Sequence, residues 1–150
     1  MIAKNIMTRE VISIQAETTV EEIARLLSVH HIGGMPVVNQ ENRVIGIVTE
    51  SDLFLKRKGI PFSAVKLPVL FKQWVDPEQL AEIYEDARHH TAADVMTSDV
   101  VCVDVEEPVG RVAWLMAQRN IKRVPVLQDG VLVGIITRAD IIRRLARDQE

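Results

Sequence analysis

Two Thr-x-x-Asp motifs hold the residues whose types and spacing could do chemistry. The first lies in GIVTESDL, residues 46–53, and the second in GIITRADI, residues 134–141. A threonine at a helix N-terminus presents backbone N–H groups and a favourable dipole to an anion, so either motif could line a binding site. The same spacing is also that of a capping box, which begins a helix without any ligand. Taken alone, the motif favours the capping role, and the two roles can coexist.

Catalytic and metal-binding chemistry finds little support elsewhere in the sequence. It contains no nucleophile motif, Walker loop or G-x-G-x-x-G pattern, and a carboxylate without a paired base is not a catalytic acid. The neighbours His30-His31 and His89-His90 would not face each other on a helix, and no cysteine or carboxylate lies near them at ligand spacing. We therefore expect neither an enzyme nor a metal site.

The motifs belong to an internal repeat. Residues 5–14 (NIMTREVISI) match residues 94–103 (DVMTSDVVCV), and residues 32–38 (IGGMPVV) match residues 121–127 (IKRVPVL), both at an offset of 89. The Thr-x-x-Asp motifs recur at an offset of 88, so the second copy lacks one residue between its proline and its glycine. That segment contains Asp129-Gly130, a two-residue hairpin signal, and the deletion therefore falls in a turn.

Each copy predicts a strand, a helix, two strands and a helix. Residues 10–14 and 99–103 are short β-branched runs, and the segments after each proline pattern read as paired strands. A threonine cap begins the first long helix, and Gly33 is available to end it. In the second copy Pro108 suits the first helical position, and Trp114 and Met116 are expected in core or interface packing. The apolar stripes of the two helices are Val20, Ile23, Ala24 and Leu27, and Val109, Val112, Ala113 and Met116.

The predicted organisation is a first repeat at 1–57, a connector at 58–93 and a second repeat at 94–150. Residues 76–90 (DPEQLAEIYEDARHH) predict an amphipathic helix with an aspartate cap and Pro77 at its first position. Residues 59–74 predict an irregular apolar strap. Because a repeat of this size would be marginal alone, we expect an α+β fold in which two pseudo-symmetric repeats pack face to face and form two clefts.

Composition limits the class of protein. The chain has 150 residues, 47% of them hydrophobic, and a net charge of -3 without a basic run, which argues against nucleic-acid binding. A single cysteine, Cys102, cannot form an internal disulfide and is more often a small buried hydrophobe than a reactive thiol. No signal peptide or membrane-length apolar run is present, so we expect a cytoplasmic protein without a membrane partner.

The two matched motifs, the Met-Thr pairs at residues 7–8 and 96–97, and the prolines of GGMPVV and KRVPVL resemble the CBS-domain family, specifically a tandem pair known as a Bateman module. The resemblance covers both copies and leaves out the connector. It implies a regulatory module that binds AMP, ADP, ATP, S-adenosylmethionine or NAD in clefts between the repeats. In that family the aspartate of the last motif accepts hydrogen bonds from ribose hydroxyls, and the threonine lies near the ribose and phosphate.

The resemblance assigns residues of this chain to each cleft. The first cleft would take Thr8, Ser13, Ile32, Gly33, Lys122, Arg123, Ile135, Thr137 and Asp140. The second cleft would take Thr97, Cys102, Ile121, Lys122, Gly33, Gly34, Ile47, Thr49 and Asp52.

The two clefts should differ in their affinity for phosphate. Just before the proline, the second copy has Lys122-Arg123 where the first has Gly33-Gly34. Lysine and arginine give an anion charge-assisted hydrogen bonds, whereas glycines offer only backbone N–H groups and space. We therefore expect the Asp140 cleft to be the better nucleotide site, and the Asp52 cleft to be weaker, empty or filled by a less charged ligand.

Two functions follow from this reading. The first is a homodimeric regulatory module that senses an adenosine-containing ligand and acts on a target protein. The alternative is an interaction or dimerisation module with vacant clefts, in which residues 62–74 or the helix with Trp114 dock a second copy or a partner.

Overall fold

A computed structural model describes residues 1–54, 85 and 87–147. In chain order the described elements are a 3-10 helix (Ala3–Asn5), α1 (Val20–His30), β1 (Gly34–Val38), β2 (Val44–Thr49), α2 (Glu50–Phe54), α3 (Ala92–Val95), β3 (Val103–Asp104), α4 (Val109–Arg119), β4 (Arg123–Gln128), β5 (Val131–Thr137) and α5 (Arg138–Arg147). Each copy thus has a long helix, two strands and a further helix in the same order. The predicted α+β fold with two repeats is confirmed.

The chain divides into two compact units that combine different parts of the two copies. Unit 1 consists of Met1–Ile12, Asn39–Val44 and Asp99–Glu150, and unit 2 consists of Ser13–Val38 and Ile45–Ser98. The N-terminal segment of the first copy, Met1–Ile12, therefore packs with the second copy. The second Met-Thr pair packs in unit 2, which contains most of the first copy.

The sheet of unit 1 is a three-stranded layer in the order β3-β4-β5. β3 pairs with β4 in parallel, and β4 pairs with β5 in antiparallel fashion. Asp129 and Gly130 connect β4 to β5 with φ angles of 52° and 78°, as a two-residue type I′ hairpin requires. The predicted turn is confirmed. Asn42 supports this hairpin, because its side-chain amide donates to the Leu132 carbonyl at 3.0 Å.

The core of unit 1 lies between this sheet, the N-terminal segment and α4. Its buried residues include Ala3 from the 3-10 helix, Val112 and Met116 from α4, and Val124 and Ile136 from the sheet. The backbone N–H of Ala3 donates to the Glu107 carbonyl at 2.8 Å. The first residues of the chain are therefore a structural part of unit 1.

Unit 2 contains the two-stranded sheet β1-β2. The side chain of Thr19 caps α1 by accepting a hydrogen bond from the Glu22 N–H at 3.2 Å, as predicted. Val20, Ile23 and Leu27 are buried, but Ala24 is exposed, so the predicted stripe is wrong at that residue. The buried positions follow an i, i+3, i+7 pattern, which leaves i+4 at the edge of a narrow stripe.

The first predicted strand of copy one, residues 10–14, is a single bridge. Ile14 alone pairs with Val37 of β1, its N–H donating to the Pro36 carbonyl at 3.0 Å. The chain then turns at once, since the Thr18 N–H donates to the Gln15 carbonyl at 3.1 Å. The corresponding run of copy two forms only the short strand β3. The prediction of a full strand at 10–14 is therefore wrong.

Two predictions about the long helices also need correction, and one of the two alternatives for Trp114 is excluded. α1 ends at His31 in the left-handed conformation, with φ of 52°, and not at Gly33. Pro108 is the N-cap of α4, one position before the predicted place. Trp114 is 47% exposed and lies under Arg111, whose guanidinium carbon is 4.4 Å from the ring centroid, so core packing is excluded for Trp114 and interface packing stays a prediction.

The predicted connector falls mostly outside the described residues. The apolar strap at 59–74 and most of the predicted amphipathic helix belong to this part of the chain. At its end, residues 85, 87 and 88 are helical and Ala87 is 2% exposed, as expected for the apolar face of an amphipathic helix. The division at 57/58 and 93/94 stays a prediction.

Candidate functional site

The second Thr-x-x-Asp motif lies at the junction of β5 and α5 in unit 1. The backbone N–H of Thr137 donates to Asp140 Oδ2 at 2.7 Å, and its hydroxyl donates to the same oxygen at 2.8 Å. The Asp140 N–H in turn approaches Thr137 Oγ1 at 3.3 Å. This is a reciprocal capping box, so the structural role that the sequence predicts is present.

Asp140 has a second partner that the capping role does not require. Its Oδ1 accepts a hydrogen bond from Arg143, one helical turn further along α5. The Asp140 side chain is 8% exposed and that of Arg143 is 68% exposed. Because most of the Arg143 side chain is exposed, a ligand group could reach Asp140 Oδ1 and share it with the arginine.

The first Met-Thr pair completes this part of unit 1. Thr8 forms an antiparallel bridge with Ile135: its N–H donates to the Ile135 carbonyl at 2.9 Å, and its own carbonyl accepts the Ile135 N–H at 3.0 Å. A Cβ on Gly134 would lie 2.8 Å from Met7 Cγ and 3.0 Å from Met7 Cβ. The glycine of the motif is therefore needed for the close approach of the methionine.

The basic pair before Pro125 lies next to the same motif. Arg123 is the Cα partner of Thr137 in the β4-β5 register, and the Lys122 carbonyl accepts the Arg138 N–H at 3.1 Å. Ile121 is close as well, since its carbonyl accepts a hydrogen bond from Arg138 Nε at 2.9 Å. Unit 1 thus brings Lys122 and Arg123 to the end of the strand that carries Thr137.

The first Thr-x-x-Asp motif repeats this cap in unit 2. The Thr49 N–H and hydroxyl donate to Asp52 Oδ2 at 2.8 and 3.2 Å. Asp52 is 1% exposed. The residue three positions after the aspartate differs between the motifs: it is Leu55 after Asp52 and Arg143 after Asp140. The two carboxylates therefore have the same cap and a different sequence neighbour one turn later.

The second Met-Thr pair occupies the equivalent place in unit 2. Thr97 bridges Ile47 with two hydrogen bonds of 3.0 Å, and Met96 packs against Gly46 as Met7 packs against Gly134. The Gly33 carbonyl accepts the Glu50 N–H at 3.0 Å, the same contact that Lys122 makes with Arg138. Gly34 begins β1.

The predicted site residues separate between the units as follows. Unit 1 contains Thr8, Cys102, Ile121, Lys122, Arg123, Ile135, Thr137 and Asp140, and unit 2 contains Ser13, Ile32, Gly33, Gly34, Ile47, Thr49, Thr97 and Asp52. Ser13, Ile32 and Gly33, which were assigned to the first cleft, thus lie in unit 2, apart from Thr8 and Thr137. Cys102, Ile121 and Lys122, which were assigned to the second cleft, lie in unit 1, apart from Thr97 and Thr49. Burial raises the pKa of the Cys102 thiol, which keeps it neutral and suits a packing role. The ligand-binding roles stay predictions.

Arg143 is a residue that sequence reasoning missed. The signal was its position three residues after Asp140, where opposite charges meet on a helix face.

The structure also shows an unrelated cap of the same form: the Thr91 N–H and hydroxyl donate to Asp94 Oδ2 at 2.9 and 3.1 Å. The Thr-x-x-Asp pattern thus occurs three times, and only two copies follow a glycine and two aliphatic residues.

The described ranges contain neither a metal-binding cluster nor a membrane-spanning helix. No group of three or more histidine, cysteine, aspartate or glutamate residues there could hold a metal ion. No helix among the residues described is both long and apolar enough to span a bilayer.

Comparison with known proteins gives a consistent result. The family model of the CBS domain matches residues 3–59 and 92–147. An uncharacterized protein of Methanocaldococcus jannaschii is 31% identical over 97% of this chain and 91% of its own length. The CBS domain of a CBS domain containing membrane protein from Sphaerobacter thermophilus is 34% identical, with a TM-score of 0.74 over 95% of this chain and 86% of that one.

A solved complex adds ligands to the comparison. It is a CBS domain pair with bound 5′-methylthioadenosine and S-adenosyl-L-methionine. It is 26% identical to this chain, with a TM-score of 0.72 over 99% of this chain and 98% of that one. Both of its ligands contain adenosine.

Proposed function

Because the chain belongs to the CBS domain family, we propose that it is a regulatory module that binds an adenosine-containing ligand at its Thr-x-x-Asp motifs and acts on a partner protein. The observation that carries the proposal is the pair of nearly buried carboxylates, Asp140 and Asp52, each held in the same helix cap. Next to each motif, the threonine of a Met-Thr pair forms a backbone bridge: Thr8 with Ile135, and Thr97 with Ile47. A carboxylate has about four acceptor positions on its two oxygens, and the cap donors use two of them on Oδ2, so the group can also accept a ribose hydroxyl.

The Asp140 site is the stronger candidate for a phosphate-bearing ligand. Lys122 and Arg123 belong to the same unit and lie at the strand end that carries Thr137. Gly33 and Gly34 occupy the equivalent places near Thr49 and contribute no charge. We propose that the Asp140 site prefers nucleotides such as AMP, ADP or ATP, and that the Asp52 site is weaker or takes a less charged ligand such as S-adenosylmethionine.

A thermal unfolding panel tests the proposed function. AMP, ADP, ATP, S-adenosylmethionine and NAD are added to the full chain at up to millimolar concentration, with GMP as a base control. A ligand at one hundred times its Kd stabilises the folded form by about 2.7 kcal/mol, which raises Tm by about 5–10 °C for a chain of this size. If no adenosine ligand raises Tm at millimolar concentration, the proposal is wrong.

A second candidate function is assembly, and exposed apolar side chains favour it. On α4 and α5 of unit 1, which contact each other, Trp114, Ile142 and Leu145 are 47%, 65% and 63% exposed. Apolar side chains of this size on adjacent helices are typical of an interface. We propose that a second copy of the chain covers them and forms a homodimer.

Sedimentation equilibrium separates assembly from ligand binding. Ile142→Glu and Leu145→Glu place charges on the apolar surface and should shift the chain to a monomer, while Asp140→Asn should leave the molecular weight unchanged. A wild-type chain that sediments as a monomer contradicts the assembly proposal and leaves ligand binding intact.

A further inference from the structure

A cavity in unit 1 contains arginines that neither the cap nor the proposed ribose contact uses. It has a volume of about 230 Å³ and is lined by Asn5, Ile6, Asp140, Arg143, Arg144 and Arg147. The three arginines follow Asp140 by three, four and seven residues, so all four side chains share one face of α5. The cavity thus lies between that helix face and the N-terminal segment.

The charge of this cavity is opposite to that of the whole chain. Three guanidinium groups and one carboxylate line it, whereas the chain carries a net charge of -3. The negative charge of Asp140 offsets the positive charge of Arg143, with which it forms an ion pair. Arg144 is half-buried with its Nε shielded from solvent, and electrostatic attraction is stronger where solvent is excluded. The planar donor fork of arginine matches phosphate oxygens, so the cavity has the chemistry of a phosphoryl site.

The volume decides how much of a ligand the cavity can take. Pockets for complete drug-sized ligands measure about 300–1,000 Å³, and one water occupies about 30 Å³ of liquid. At about 230 Å³ the cavity has room for one or two phosphoryl groups with water, but not for a whole nucleotide. It is therefore suited to one charged substituent of a larger ligand.

Asp140 belongs both to this cavity and to the site proposed for ribose. We propose that the cavity is an anion subsite for a phosphoryl group carried on the 2′ or 3′ oxygen of the ribose that Asp140 holds, a proposal that rests on the proposed function. In dinucleotide-binding folds, likewise, an acidic residue takes a free ribose hydroxyl and a nearby arginine takes a phosphate at that position. Arg143, which contacts Asp140 Oδ1, stands where it can bridge the carboxylate and the phosphate.

The subsite is tested by isothermal titration calorimetry on the full chain at constant ionic strength. The ligands are AMP, adenosine 2′,5′-bisphosphate, adenosine 3′,5′-bisphosphate and inorganic pyrophosphate. At least one bisphosphate should bind at least about tenfold more tightly than AMP, as expected for new charge-assisted hydrogen bonds. Pyrophosphate should bind more weakly than any of the three nucleotides, because it lacks the adenosine.

Variants locate the effect. Arg147 is exposed, so Arg147→Gln should fold normally and lose most of the bisphosphate advantage while its AMP affinity stays unchanged. Arg144→Lys keeps the positive charge but lacks the planar donor group of arginine, so it should lose part of the bisphosphate advantage. Arg119→Gln removes an exposed arginine at the end of α4 in the same unit and should retain the full advantage.

Three outcomes overturn the proposal in distinguishable ways. Bisphosphates that bind no better than AMP exclude the subsite and leave the proposed function standing. Pyrophosphate that binds as tightly as the bisphosphates, with the same dependence on Arg147, indicates a site for free anions. Absence of binding by every nucleotide contradicts the proposed function and the subsite with it.

Discussion

Asp140 and Asp52 each use one carboxylate oxygen to cap a helix, and this requirement alone accounts for the Thr-x-x-Asp spacing. The sequence was sufficient to predict that cap because it depends on residues three apart. It could not predict the pairing of Gly134 with Met7, which lie far apart in the chain. The glycine and the Met-Thr pair belong to one local arrangement, formed when the Thr8 and Ile135 backbones pair.

The close approach of Met7 gives a prediction for the motif glycine. Gly134→Ala places a Cβ within 2.8 Å of Met7 Cγ and 3.0 Å of Met7 Cβ, so the methionine or the strand must shift. We expect a loss of about 1–3 kcal/mol in the free energy of unfolding, measured by urea denaturation. Gly110→Ala in α4 is the matched control, because nothing lies within 4 Å of its Cβ, and it should be neutral or stabilising. Equal effects of the two substitutions would exclude a special role for the close approach.

At the scale of elements, periodicity and turn chemistry predicted α1, α4 and the β4-β5 hairpin, because each depends on contacts within a few residues. Residues 10–14 were predicted as a strand from their β-branched composition, but only Ile14 finds a partner. The end of α1 was also misplaced, since a helix was expected to use the nearest glycine. The chain instead places His31 and Asn120, with φ of 52° and 50°, at the equivalent ends of α1 and α4.

These two helix ends predict a difference between equivalent glycine substitutions. The left-handed conformation costs a side-chain-bearing residue about 1–2 kcal/mol, and asparagine tolerates it best. His31→Gly should therefore stabilise the chain by up to about 1 kcal/mol, whereas Asn120→Gly should change the free energy of unfolding by about half that or less. Urea denaturation measures both. A destabilised His31→Gly chain would show that the histidine side chain makes a contact worth more than the backbone strain.

At the scale of the whole molecule, the boundaries of the two sequence copies differ from those of the two compact units. The repeat was visible in the sequence because the copies match in order and spacing. The sequence does not show that the N-terminal segment of each copy packs in the unit of the other copy. That packing depends on hydrogen bonds between distant residues, such as the one from the Lys4 N–H to the Val105 carbonyl at 2.9 Å. Met1–Ile12 therefore belongs to unit 1, with Asp140, and not with the rest of the first copy.

Deletion of residues 1–8 should accordingly weaken unit 1 more than unit 2. It removes Ala3, which is fully buried, and the partly buried Ile6 and Met7 from the core around Ile136. We expect amide hydrogen exchange in β5 to accelerate at least tenfold, or about 1.4 kcal/mol, with a smaller change in β2. Acceleration confined to β2 would mean that the N-terminal segment supports its own copy in solution.

The central claim is that the two motif carboxylates bind the ligand in addition to capping a helix. Calorimetric titration with AMP on Asp140→Asn, Asp52→Asn and Asp94→Asn tests it most directly, because Asp94 caps a helix in the same way outside the motifs. We predict that Asp140→Asn weakens AMP binding at least about tenfold, that Asp52→Asn has a smaller effect and that Asp94→Asn has none. Wild-type affinity in Asp140→Asn, or an equal loss in all three variants, would contradict the claim.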